Sequence, residues 1–363
     1  MDKNKSTIVI SAINFTEGGP LTILNECLEY ASIHLSQEYN VVALVHDKDM
    51  FSYPNVRYIS FPRSKNSWIT RIYYEYFFFK KVSDDLKPYL WLSLHDITPN
   101  VKSTIRAVYC HNSSPFFRLP ITQAFLDVKF YLFSIFYSFL YRINIHKNNY
   151  VIVQQEWLRK EFVSRFSLSN VVVAYPEIHK NEIDSISIKN TKFTFLYPAF
   201  PRVFKNFEVI CKAADILSKN GMKDVEFILT IDGSENRYSN AIVRNNNSPL
   251  LKFVGIQKRE SLYDLYAASD CLIFPSKLET WGLPLTEYMV TGKPLLAADL
   301  PYAHETVGEY NKVNFFDPDD AEALALLILD VIKGDAVYEK QIVPLPSHPF
   351  VSGWGDLFEI LLK

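Results

Sequence analysis

The stretch that most restricts how this chain can fold runs from Asp270 to Asp299, reading DCLIFPSKLETWGLPLTEYMVTGKPLLAAD. At either end, Asp270-Cys-Leu-Ile-Phe274 and Pro294-Leu-Leu-Ala-Ala298 are short apolar runs, which read as buried parallel strands. A helix is predicted between them. Pro284 suits a first helical position, where its missing N–H is no loss, and Gly292 suits the position just past the end. Glu279, Thr280, Trp281 and Gly282 then form the loop leaving the carboxyl end of a strand, with Glu287 one turn into the following helix. Two carboxylates therefore flank one crevice.

The amides of Gly282, Leu283 and Leu285 open that helix, and first-turn N–H groups with the positive end of the dipole suit a phosphate. Gly282 removes a side chain where a ligand could approach, and a carboxylate beyond it can accept paired sugar hydroxyls. Diphosphate plus polyol describes a nucleotide sugar. Glu279 and Glu287 with seven residues between them, the intervening Gly-Leu-Pro and the later Gly-Lys-Pro and Phe-Asp-Pro resemble the retaining GT-B glycosyltransferases of group 1, family 4 type. The resemblance implies an α/β fold of two Rossmann-like domains facing each other across a cleft. It is strong over 192–320 and weaker over 1–176.

At 363 residues the chain exceeds what one core usually holds, so two domains are expected. We place them at 1–178 and 191–348, with a polar linker at 176–190 and a terminal helix at 349–363 that in the resembling fold crosses back to the first domain. A hydrophobic content of 48% with 21% charged residues describes a folded chain, and a net charge of −2 gives no global attraction for nucleic acid. Cys27, Cys110, Cys211 and Cys271 sit in or beside apolar segments without metal-ligand spacing, which reads as buried and reduced. The amino-terminal apolar run is too brief for a signal peptide, which makes a cytoplasmic location the default.

In the first half, Thr7–Ser11 is a strand followed by a loop with Gly18-Gly19 and then a helix. The loop has neither the dinucleotide glycine spacing nor a P-loop lysine, so the pair is either a tight turn or, as the resemblance implies, an approach to donor phosphate or acceptor. Further strands are predicted at 41–45, 56–61, 89–94, 104–109, 150–153 and 171–174. Two of them lead into polar loops at their carboxyl ends, His95-Asp96 and His111-Asn112. A lone histidine such as His111 is more often structural than functional; in the resembling family a histidine here lies near the donor sugar. Ser67 is read as the cap of a ring-rich helix, and 121–145 as a second aromatic helix, buried in the fold or lying in a lipid interface.

In the second half, strands are predicted at 193–197, 225–231 and 250–254, besides the two of the central stretch. Arg202 and Lys205 stand just before a helix amino terminus, a poor place for cations unless an anion lies between; the alternative is two exposed loop cations. In the family an arginine often precedes Lys-Asn by five residues, a slot held here by Phe200, so Lys205-Asn206 carries over and Arg202 departs from the pattern. Gly255 lies in a loop that in the family packs against the base. Asp317-Pro-Asp319-Asp320 is better read as a helix cap than as a metal site.

The resemblance implies catalytic roles for Glu279, His111, Lys205 and Arg202. It implies donor binding by Glu287, Gly282, Leu283, Trp281, Thr280, Gly18, Gly19 and Gly255, with no metal and no cofactor beyond the nucleotide-diphosphate sugar. The expected acceptor is a glycan or lipid-linked saccharide of surface polysaccharide biosynthesis. Rings near 68–79 and 125–143 suggest peripheral contact with the inner face of a membrane. Competing readings are a nucleotide-sugar epimerase or a phosphorylase of the same architecture, and a non-catalytic scaffold of a polysaccharide assembly complex.

Overall fold

The computed structural model describes residues 4–117, 125–177, 191–338 and 343–363. Two compact units divide the chain: Met1–Phe116 with Ser134–Glu177 and Pro346–Lys363, and Phe117–Phe133 with Ile178–Leu345. Most of the proposed linker, 178–190, and the start of the second aromatic helix, 121–124, lie outside the described residues.

Strands of the first unit are β1 (Thr7–Ala12), β2 (Asn40–Val45), β3 (Val56–Ser60), β4 (Leu90–Ser93), β5 (Ile105–Cys110), β6 (Tyr150–Val153) and β7 (Val171–Tyr175). Those of the second are β8 (Phe193–Tyr197), β9 (Val225–Leu229), β10 (Leu251–Phe253), β11 (Cys271–Phe274), β12 (Leu295–Ala298) and β13 (Val313–Phe316); β14 (Phe350–Ser352) returns to the first. The first sheet has the order β14-β7-β6-β5-β4-β1-β2-β3, the second β10-β9-β8-β11-β12-β13, and the strand pairs of both are parallel.

Parallel strands are covered on both faces by their crossover helices, and β1 is accordingly buried along its whole length. Its alternate residues feed two cores. Ile8 and Ile10 pack with Leu24 and Leu28 of the helix Gly18–Tyr30, whereas Val9 packs with Val42, Leu44, Phe79 and Trp91. The last residues complete the first of these cores: Phe350 pairs with Val173, and the helix Gly353–Leu362 adds Trp354, Leu357, Phe358 and Leu361.

In each sheet the strand order reverses once, between β1 and β4 and between β8 and β11. Ligands of open α/β sheets bind outside the carboxyl ends of strands at such points. The residues singled out above follow β8 and β11 in one unit, apart from Gly255, which follows the edge strand β10, and β1 and β5 in the other.

Observed strands agree with the expected ones to within about two residues. β13 and β14 were not foreseen. Phe117–Phe133 groups with the second unit rather than the first, because Phe117 and Phe130 pack their rings on Phe204 at 6.2 and 5.0 Å and Asp127 pairs with Arg202. All four cysteines are buried thiols.

Candidate active site

At the switch point of the second unit, the loop after β8 carries Lys205 and the loop after β11 carries Glu279. The two loops are laced by backbone. Lys277 N–H donates to the Phe204 carbonyl at 2.7 Å, and the Asn206 side-chain amide donates to the carbonyls of Pro318 at 2.7 Å and Pro275 at 3.3 Å. Asn206 holds φ at +57°, a conformation asparagine tolerates, and so turns the chain into the helix Phe207–Lys219. The Tyr197 hydroxyl donates to the Lys205 carbonyl at 2.7 Å. So fixed, the Lys205 ammonium donates to Glu279 Oε1, both side chains being largely buried. Phe204 and Phe274 present their rings to the ammonium at 5.5 and 5.8 Å. Burial first, and the Glu279 charge second, hold the phenols of Tyr197 and Tyr302 well above their usual range.

Arg202 is also partnered, its Nη1 lying 3.2 Å from Asp127 Oδ2. The cations that looked misplaced beside a helix amino terminus thus each face a carboxylate of the protein, one of them from a segment some seventy-five residues upstream.

The helix after β11 is Leu283–Met289, capped by Gly282 at φ +87° with Pro284 in its first turn. A side chain at Gly282 would have its Cβ 3.4 Å from both Phe274 and Leu285, so left-handed backbone and protein packing, rather than ligand approach, account for glycine here. The Leu285 amide donates to the Gly282 carbonyl at 2.9 Å and leaves the proposed anion site. Trp281 is 4% exposed, with Thr306 Oγ1 donating to its carbonyl, whereas Thr280 and Leu283 reach the surface. Glu287 Oε2 accepts from the Tyr266 hydroxyl at 2.9 Å, and Oε1 lies 3.8 Å from Arg259. Burial raises its carboxyl pKa, with both partners opposing. Gly255 has φ +71°, and a Cβ there would come within 3.0 Å of Asp232 Oδ2. Asp320 caps the helix Ala321–Lys333 through the amides of Glu322 and Ala323, as its sequence position predicts, and Asp319 pairs with Lys277.

In the first unit, Gly18 begins its helix at φ +65°, whereas Gly19 has no left-handed backbone. His111 leaves β5 with its ring against Tyr109 at 4.2 Å and Phe15 at 5.9 Å. Burial pushes its pKa down to about 3, so the imidazole is neutral at physiological pH. Beneath it lies a buried polar cluster that sequence reasoning missed. Arg71 donates to the His95 carbonyl at 2.8 Å and to the Tyr137 hydroxyl at 3.0 Å, and His95 Nε2 lies 3.2 Å from both Ser11 Oγ and Glu75 Oε1. Burial first, then Arg71, lowers the His95 pKa, whereas burial pushes the Glu75 carboxyl up to about 8 against the pull of Arg71. The one available signal was the i, i+4 spacing of Arg71 and Glu75 inside an apolar helix.

Residues 179–342 match the family described as Glycosyl transferases group 1. O-antigen chain mannosyltransferase B of Escherichia coli is 30% identical over 95 residues, which are 26% of this chain and 24% of that protein. The matched stretch thus spans about a quarter of the relative's length. Among solved structures, a glycosyltransferase from Rickettsia africae superposes with a TM-score of 0.66 at 15% identity, over 92% of this chain and 90% of that one. The Anabaena protein HepE in complex with UDP-glucose gives a TM-score of 0.57 at 13% identity, over 90% of each chain. The two parallel-sheet α/β domains are those of the GT-B fold, as the sequence resemblance implied.

Proposed function

We propose that the chain transfers a sugar from a nucleotide-diphosphate donor to a glycan or lipid-linked acceptor, with retention, in the assembly of a surface polysaccharide. The carrying observation is the Lys205–Glu279 pair, set side by side at the switch point of the second sheet and laced there by backbone hydrogen bonds. Support comes from the group 1 match over 179–342 and from the mannosyltransferase relative. That HepE holds UDP-glucose supports the donor class.

In this reading an ammonium has three donors, so Lys205 keeps Glu279 in place while giving its remaining N–H groups to a phosphate oxygen. Arg202, anchored through Nη1 by Asp127, adds a second positive charge for the diphosphate whose charge grows as the glycosidic bond breaks. Glu279 accepts hydroxyls of the donor sugar, Glu287 those of the ribose, and neutral His111 hydrogen-bonds the sugar. The bond from the anomeric carbon to the phosphate oxygen breaks while one to the acceptor oxygen forms on the same face. The departing phosphate takes the acceptor's proton, so neither a protein nucleophile nor a metal is part of the proposal. Contact with a membrane belongs to this reading, through the exposed rings of the helices near 68–79 and 128–142. No helix among the described residues is long and apolar enough to cross one.

The test is a screen of nucleotide sugars for binding and transfer, followed by Lys205→Ala and Glu279→Ala. Losing one such contact in the transition state costs about 3 kcal/mol, so kcat should fall by about 100-fold or more while unfolding stays cooperative. Parental kcat in either variant would remove the assignment. Binding of no nucleotide diphosphate would favour the scaffold reading.

A further inference from the structure

Asp96 sits where the loop after β4 meets the loop after β5. Its backbone is left-handed at φ +71°, and its amide donates to the Tyr109 carbonyl at 3.2 Å. That turn directs the carboxylate at the first two residues beyond β5. Oδ1 accepts the backbone N–H of His111 at 2.6 Å and that of Asn112 at 3.0 Å. The Tyr141 hydroxyl lies 3.2 Å from the same oxygen and 2.8 Å from the Asn112 carbonyl, its single proton serving one of the two. Asn112 Oδ1 in turn accepts the Ser114 amide at 3.0 Å, and Arg71 fixes the preceding peptide through the His95 carbonyl.

A carboxylate aimed at two consecutive amides is a strong, charge-assisted clamp. It is needed here because β5 ends at Cys110, and beyond that point the sheet no longer holds the amides of His111 and Asn112. The ring of His111 is then set by Tyr109 and Phe15. A shift of the loop by about 1 Å is enough to spoil catalytic geometry.

We infer that Asp96 is a positioning residue: its carboxylate holds the His111–Asn112 turn in the pose that presents the imidazole to the donor sugar. The inference rests on the role proposed for His111, and its test separates the two. Asp96→Ala removes the acceptor, Asp96→Asn keeps an oxygen in the same place, and Tyr141→Phe takes away one donor without burying new polarity. The measurements are amide hydrogen exchange at His111 and Asn112, and nucleoside diphosphate release from UDP-glucose and GDP-mannose.

With Asp96→Ala the two amides should exchange about 100-fold faster, and kcat should fall by a similar factor with KM for the donor within about threefold. Asp96→Asn should restore both to within about tenfold of the parent, and Tyr141→Phe should lie between. If Asp96→Ala fails to fold, the Asn and Phe variants carry the same ordering. Unchanged exchange in Asp96→Ala overturns the clamp whether or not either donor is turned over. Parental kcat in that variant beside an inactive His111→Ala overturns it too. A fully active His111→Ala with fast exchange in Asp96→Ala instead removes the role of His111 and leaves the clamp standing.

Discussion

A carboxyl group with no exposed surface has to give up its charge or find a partner strong enough to keep it, and Glu75 gives it up. Its pKa is pushed to about 8 from an ordinary 4.5, because desolvation outweighs the guanidinium of Arg71. The folded protein therefore keeps this proton between those two values, where the unfolded chain releases it. Stability falls as pH rises through the window, by at most about 1.4 kcal/mol per unit, and the contribution is fully lost above about 8. Glu75→Gln cannot titrate. Its urea midpoint should gain on the parent's between about pH 5 and about pH 8, and parallel profiles for the two proteins would contradict this. Little of the arrangement was legible beforehand. Ser11, Arg71, Glu75, His95 and Asp96 come from three separate segments, and the apolar period of a helix says which face is buried but not which polar group shares it. Asp127 was hidden for the same reason, whereas Lys205 and Glu279 stand in loops whose strand and helix neighbours announce them.

The ring-rich helices show what periodicity can and cannot decide. Along Trp68–Phe78 the backbone passes from an α-helix into a π-helical turn at Tyr74–Phe78, which takes Arg71, Glu75 and Phe79 inward. Ile69, Tyr73 and Phe77, four residues apart, stay outside with exposures of 80, 53 and 68%. On the helix Val128–Arg142, Tyr137, Leu140 and Tyr141 face in while Ile135, Phe136 and Phe139 face out. Trp68 joins the two stripes through an edge contact with Phe136 at 5.5 Å. Counting rings suggested either burial or a lipid face; each helix buries some of its rings and leaves others exposed on the opposite side. Exposed Lys80 and Lys81 follow one stripe and Arg142 ends the other, and the single carboxylate of 68–81 is the buried Glu75. Such a surface suits an anionic bilayer. The protein should cosediment with phosphatidylglycerol vesicles, less so at high salt, and weakly with phosphatidylcholine. Each inserted ring contributes about 2 kcal/mol, so Phe77→Ser with Phe139→Ser should weaken binding by at least about 100-fold. Undiminished binding of the double variant would place the lipid contact elsewhere.

At the scale of the whole molecule the alternation of strand and helix was readable, since parallel strands buried on both faces leave unmixed apolar runs such as Val171–Ala174 and Leu295–Ala298. The order 3-2-1-4 within each sheet was not, because no local pattern states which strand a crossover returns to. β14 shows the limit best: three residues with Pro349 before them carry no strand signal of their own, and they pair because Val173 and Tyr175 offer an open edge. Chain order and spatial order therefore part company at the end of the sequence. The final helix buries Trp354, Leu357, Phe358 and Leu361 against Leu24 and Leu28, and Arg159 reaches the carbonyls of Ser347 and Pro349 at 2.7 and 2.9 Å. At about 2 kcal/mol for each of the four side chains, that contact amounts to about 8 kcal/mol, as much as a domain's entire stability. A chain stopped after Leu345 should then lose its first unit while the second, whose sheet has no strand from this segment, stays folded. Limited proteolysis should digest the first unit, residues before 117 and 134–177, and leave a resistant fragment beginning near 191. Resistance of both units in the shortened chain would mean that the first core closes without its last strand and helix.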